Sequence, residues 1–204
     1  MATRKYEQRL RAERADATRR RILDAVGQRL REAPTEPVSL DQVARLAKVA
    51  RSTIYLVFGS RAGLFDAFSE DLWERTGLAD LTSAVAHPDA REHLRGGLRA
   101  SAQMYAAERD VYRVLFSMAA LDPDSVGGAI AKKEENRRGG MLHLARRLDE
   151  QGLLRDDVTA EDAAHVLWVL ASFDAFDLLF TGRKLSLDDV VALLVTSAER
   201  TLLR

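Results

Sequence analysis

Residues 38–65 read VSLDQVARLAKVARSTIYLVFGSRAGLF. Ser39 stands before Leu40-Asp41-Gln42, with Gln three residues on, which is the pattern of a capping box and predicts a short helix to about Ala47. Lys48-Val49-Ala50 is a tight turn. A second short helix spans Arg51 to Phe58 and is stopped by Gly59-Ser60, where Ser60 can cap a further helix bearing Leu64, Phe65, Phe68 and Leu72. The apolar positions Leu40, Val43, Ala44, Val49, Ile54 and Phe58 hold these helices together. Arg51, Ser52, Thr53 and Tyr55 are left on the outside. Two short helices joined by a tight turn form a helix-turn-helix, whose second helix enters a DNA major groove.

Upstream, Ile22, Val26 and Leu30, with Leu23 beside them, predict an amphipathic helix from about Ala17 to Glu32. Pro34 and Pro37 end it. The 16 residues before it carry Arg4, Lys5, Arg9, Arg11 and Arg14 and read as a basic, flexible arm able to follow a minor groove. Downstream, helices are predicted over about 88–107 and 110–119, then a turn at Asp122-Pro123-Asp124, then a long helix ending at Gly152. Asp156-Asp157-Val158-Thr159 makes the next turn and cap, and helices follow over about 160–180 and 187–203. No segment alternates like a strand. The expected fold is all-α, with an arm (1–16), a three-helix helix-turn-helix domain (17–63) and a helical bundle (64–204) for ligand binding and dimerisation.

The chain has 31 basic and 31 acidic residues, but they are not spread evenly. Residues 1–61 hold 14 Lys and Arg against 7 Asp and Glu, and the rest hold 17 against 24. A basic head on an acidic body suits a polyanion bound at one end. There is no Cys, which removes disulfides, thiolate metal sites and thiol catalysis. No run approaches the ~18 apolar residues of a membrane span, and the charged N-terminus lacks the apolar core of a signal peptide. A cytoplasmic location without membrane contact is the expectation.

The run Val49-x-Arg51-x-Thr53-Ile54-Tyr55-x-x-Phe58-Gly59-Ser60-Arg61-x-x-Leu64-Phe65, with Thr18, Ile22, Leu23 and Ala25 before it, resembles the DNA-binding domain of the tetracycline-repressor (TetR) family. The resemblance implies a homodimer on a palindromic double-stranded operator, acting as a repressor. It also implies a C-terminal domain that releases DNA on binding a small-molecule effector. Arg51 would donate to guanine O6 and N7, Ser52 and Thr53 would meet bases or phosphate, and Tyr55 would donate to a phosphate. Lys48 and Arg61 would place cations near helix N-termini, and Thr18 and Arg19 would contact backbone. Five positions depart from the pattern. Lys48 stands for the usual turn Gly, Ala50 for a Ser cap, Leu56-Val57 for a polar or His pair, and Arg61 for Lys.

The last two helices are apolar on most sides, which requires burial on two faces and points to a four-helix interface between two copies. Candidate pocket residues are Met104, Tyr105, Tyr112, Phe116, Met141 and His143, together with Trp168, Phe173 and Phe176. Asp174 and Asp177 complete the set. A carboxylate within that apolar stretch needs a partner, either a cationic ligand or an internal cation such as Arg183 or Arg146. His143 and His165 do not make a metal spacing, and no motif for catalysis or a cofactor is present. Two alternatives stay open: a helical enzyme, and a DNA-binding dimer whose C-terminal domain binds a protein.

Overall fold

A computed structural model describes residues 2–121 and 128–204, with the side chains of 2–5 and 129 excepted. The turn expected at 122–124 lies outside the described residues. The elements are α1 (Ala2–Glu32), α2 (Leu40–Ala47), α3 (Arg51–Phe58), α4 (Arg61–Thr76), α5 (Leu78–Val85) and α6 (Ala90–Ala107). They continue with α7 (Arg109–Leu121), α8 (Ala129–Glu150), α9 (Ala160–Leu170), α10 (Phe173–Asp177), a π-helical turn (Leu178–Gly182) and α11 (Leu187–Leu202). Among the described residues the only extended pairing is a single antiparallel bridge, Leu154 with Leu203. The fold is all-α, as the periodicities predicted.

The chain divides into two compact units, Met1–Asp71 with Val114–Ile130, and Leu72–Arg113 with Ala131–Arg204. The boundary expected after residue 63 falls inside α4. In the first unit, Ile22, Val26 and Leu30 of α1 are fully or almost fully buried with Val43 of α2, Ile54 of α3 and Phe65 and Phe68 of α4. Arg29 is 5% exposed and lies among them. Its guanidinium donates to Gln42 Oε1 at 3.0 Å, to the Ala33 carbonyl at 3.2 Å and to Glu36 at 2.7 Å. A buried charge with every side met costs little, and here it ties the end of α1 to α2. Gln42 is thereby used, so the capping box does not form. Ser39 alone caps α2, accepting from the Asp41 N–H at 3.3 Å.

α1 begins at Ala2 rather than Ala17. Its first half is rich in strong helix formers, Arg, Glu and Ala above all, and is braced by an Arg9–Glu13 pair at 2.8 Å one turn apart.

The core of the second unit joins Leu94 and Leu98 of α6, Leu144 and Leu148 of α8, Leu167 of α9 and Leu202 of α11. The helix expected over 160–180 is broken. Ser172 accepts from the Ala175 N–H at 3.1 Å and donates to the Val169 carbonyl at 2.7 Å, which ends α9 and starts α10. Among the described residues no single helix is long and apolar enough to cross a membrane.

Candidate nucleic-acid interface

The turn between α2 and α3 depends on Lys48, which takes the left-handed conformation at φ 55°, ψ 47°. Its N–H reaches the Arg45 carbonyl at 3.2 Å, and the Val49 N–H reaches Ala44 at 3.0 Å. This closure turns the chain sharply enough to launch α3 at once. Ala50 precedes α3 with no side-chain cap, and the Thr53 N–H is served by the Ala50 carbonyl at 2.9 Å. At the far end Gly59 has φ 76° and Ser60 Oγ accepts from the Gly63 N–H at 2.9 Å. A Cβ on Gly63 would lie 2.3 Å from the Phe58 carbonyl oxygen, so glycine permits the close approach of α3 and α4.

Ile54 is the buried residue of α3. The opposite side is open: Arg51, Ser52 and Tyr55 are exposed, Thr53 is half-buried, and Leu56 is 86% exposed. Arg51 Nη1 donates to Asp41 at 3.2 Å and Nη2 to the Tyr55 hydroxyl at 3.4 Å. Both contacts, Tyr55 first, hold the guanidinium more firmly protonated than an isolated arginine. Arg19 of α1 lies 5.1 Å from the Phe58 ring, which brings it beside the end of α3. Thr18 donates to the Arg14 carbonyl at 2.9 Å, and Lys48 is exposed at the turn. Arg61 donates to the Val38 carbonyl at 2.6 Å and stacks 5.3 Å from Phe65, so it braces the start of α4 against the segment before α2. Sequence reading missed Asp41, and it recorded Leu56 only as a departure. Exposure within so short a helix is set by what it packs against, here α2 and the Arg19 contact at Phe58, which spacing alone does not reveal.

The candidate pocket residues separate in the second unit. Tyr105, Tyr112, Phe173 and Phe176 gather into one cluster, with Tyr105 5.4 Å from both Tyr112 and Phe173 and 5.9 Å from Phe176. Met104 and Tyr105 also surround Lys133, which sequence reading did not single out. Met141 packs on the aliphatic core, His143 is exposed 6.3 Å from His93, and Trp168 is exposed beneath the Arg137 guanidinium at 4.7 Å. Phe116 belongs to the segment grouped with the first unit. Asp174 is exposed. Asp177 is buried and paired, but with Arg109 at 2.7 Å and with Arg113, and it accepts from Thr181 at 2.7 Å. Arg183 and Arg146 are thus not its partners. The cations come from α7, which no local spacing could have linked to Asp177. Among the described residues no group of His, Cys, Asp and Glu could hold a metal ion.

Residues 22–68 match the family model for bacterial regulatory proteins of the tetR family. The chain carries a TetR-family DNA-binding domain. The TetR-like architecture extends beyond that match. A TetR-like transcriptional regulator from Rhodococcus sp. RHA1 aligns with a TM-score of 0.67 at 22% identity, over 90% of this chain and 94% of that one. NalD, the secondary repressor of the MexAB-OprM multidrug efflux pump in Pseudomonas aeruginosa, aligns at 0.71 and 22%, over 93% and 98%. A TetR-family regulator from Marinobacter aquaeolei VT8 aligns at 0.70 and 17%, over 94% and 98%. At these identities the likeness is one of fold. No curated protein sequence matches the chain.

Proposed function

We propose that this TetR-type chain acts as a homodimer on a roughly palindromic DNA operator, represses transcription by occupying it, and is released by a small molecule bound in the second unit. The observation that carries the reading is the open face of α3, where Arg51, Ser52 and Tyr55 stand clear of the core. Arg51 reads guanine by a two-point contact, and Ser52 and Thr53 meet neighbouring bases or phosphate. Leu56 suits a thymine methyl. Tyr55, Lys48, Thr18, Arg19 and Arg61 serve the backbone, which sets position and salt dependence.

Dimerisation is supported by the apolar side chains left open on the last helices and the turn between them. Trp168 and Val169 of α9, Leu178 of the π turn and Leu193 of α11 are 38%, 62%, 69% and 44% exposed. Exposed apolar side chains on neighbouring elements suit a self-complementary patch. Two copies place two copies of α3 on successive turns of one groove face, and the operator mirrors the two-fold axis. Effector release requires a ligand that favours the released state over the bound one.

Selection of bound duplexes from random DNA by the full chain tests the reading, paired with equilibrium sedimentation. Enrichment of an inverted repeat with half-sites about one helical turn apart, and a dimer at micromolar concentration, is the expected result. No enriched sequence, or a monomer throughout, overturns it.

A further inference from the structure

The Lys133 ammonium of α8 is enclosed by rings. It lies 4.1 Å from the centroid of Trp73, 5.4 Å from Tyr112 and 5.9 Å from Tyr105. Among the described residues its hydrogen-bond partner is the Met104 sulfur, at 3.9 Å. Glu134, the next residue, is taken up by Arg137 at 2.5 Å. Aromatic faces attract a cation, but they do not replace the oxygen atoms that an ammonium loses on leaving water. Burial pushes Lys133 down to about 7, against the opposing pull of Glu134, while Arg137 pushes it further down.

A second donor stands at the same place. The Trp73 indole Nε1 is buried and has no hydrogen-bond partner among the described residues. The neighbouring hydroxyls have partners elsewhere. Tyr112 shares its hydrogen bond with Thr76 at 2.8 Å, and Tyr105 turns toward the Ala171 carbonyl at 3.5 Å. The cation lies over the indole ring, and among the described residues neither group has an oxygen acceptor.

We infer that Lys133 and Trp73 form the charged end of a binding site for an organic carboxylate with an apolar body. This rests on the reading of the second unit as an effector sensor. Two donors match two carboxylate oxygens, and one ammonium balances one negative charge. The apolar surroundings, Tyr105 with Phe173 and Phe176, favour a ligand whose remainder is hydrocarbon or aromatic. Binding raises the proton affinity of Lys133, so the ligand arrives with uptake of a proton. The groups that face Lys133 and shape this titration are Glu134 and Arg137 on its own helix, and the phenols of Tyr105 and Tyr112.

The full chain, free of DNA and labelled with ¹⁵N at the indoles of its two tryptophans, provides the test. Loss of one signal in Trp168→Phe assigns the other to Trp73. Benzoate and octanoate are titrated against benzamide and octanamide. The carboxylates are expected to move the Trp73 indole proton downfield in a saturable way, with the amides at least about tenfold weaker. Above pH 7 the carboxylate affinity should fall about tenfold per pH unit, since an added proton must be bound. Lys133→Met should abolish the preference for acid over amide, and Lys133→Arg should keep it while removing the pH dependence. Equal binding of acid and amide, a pH-independent affinity, an unmoved Trp73 signal, or an unchanged preference in Lys133→Met overturns the inference. DNA binding by the same protein keeps the two readings apart. Intact operator binding with no carboxylate bound removes this inference alone. A carboxylate that binds without releasing DNA supports the site and overturns its role as an effector site.

Discussion

Arg51 and Asp41 face each other across the turn of the reading head, 3.2 Å apart, with half of each side chain open to water. So exposed a pair contributes little to stability. Its effect is on direction. Asp41 and the Tyr55 hydroxyl hold the guanidinium in one place in the free protein, and on the proposed reading guanine would have to replace the carboxylate.

Asp41→Asn should therefore tighten DNA binding by about three- to tenfold and reduce discrimination between operator and random duplex, since removing a charge helps every phosphate. Arg51→Ala should lose about five- to a hundredfold at one base position only. Fluorescence anisotropy on operator variants, repeated at several salt concentrations, measures both. A loss in Arg51→Ala that is uniform across bases would make Arg51 a phosphate contact instead.

Lys48 in the left-handed region and Ala50 without a capping side chain both leave room for stabilising changes. Lys48→Gly removes a Cβ penalty, offset in part by chain entropy, and should gain about 0.5–1 kcal/mol. Ala50→Ser should gain about 1 kcal/mol by accepting from the first turn of α3. Urea unfolding gives both values. Lys48→Gly should at the same time weaken DNA binding, through loss of a cation.

Gly63→Ala should act in the opposite direction. The added methyl meets the Phe58 carbonyl oxygen at 2.3 Å, a backbone atom unable to turn aside. A cost of about 1–3 kcal/mol follows from overpacking. The same unfolding experiment reads it, and a neutral result would mean that α3 and α4 slide apart freely.

His93 in the second unit is buried and accepts from Arg147 at 3.0 Å. Burial, with Arg147 beside it, lowers it to about 4. The unfolded chain binds this proton near pH 6.5 and the folded chain only near 4. Stability should thus be full above about pH 6.5 and fall by about 2–3 kcal/mol as pH drops through 4. Unfolding midpoints across this range show the slope, and His93→Gln, which can still accept from Arg147, should flatten it.

The elements nearest the DNA-facing side were the most legible. Ser39, Pro37 and Gly59-Ser60 mark the ends of α2 and α3 by local chemistry that no distant contact overrides. The left-handed turn residue was also readable, from Lys48 standing where a Gly is usual. Other features depended on partners far along the chain. Gln42 was drawn off its cap by Arg29, and Asp177 found Arg109 and Arg113. α5 escaped notice because it has no buried residue and only Gly77 before it. The first half of α1 did so because helix-forming charged residues carry no apolar period. Lys133 in its cage is the extreme case. Trp73, Met104, Tyr112 and Lys133 share no sequence pattern.

α3 is eight residues long, lacks a side-chain cap and fastens itself through Ile54. Alone it would be mostly coil. Its amides should therefore exchange with solvent well before the rest of the first unit opens. Phosphates arriving at its N-terminus would supply the acceptors that Ala50 does not. On the proposed reading the operator would complete the helix that reads it, recognition would be coupled to local ordering, and exchange at Arg51, Ser52 and Thr53 should slow measurably once DNA is bound.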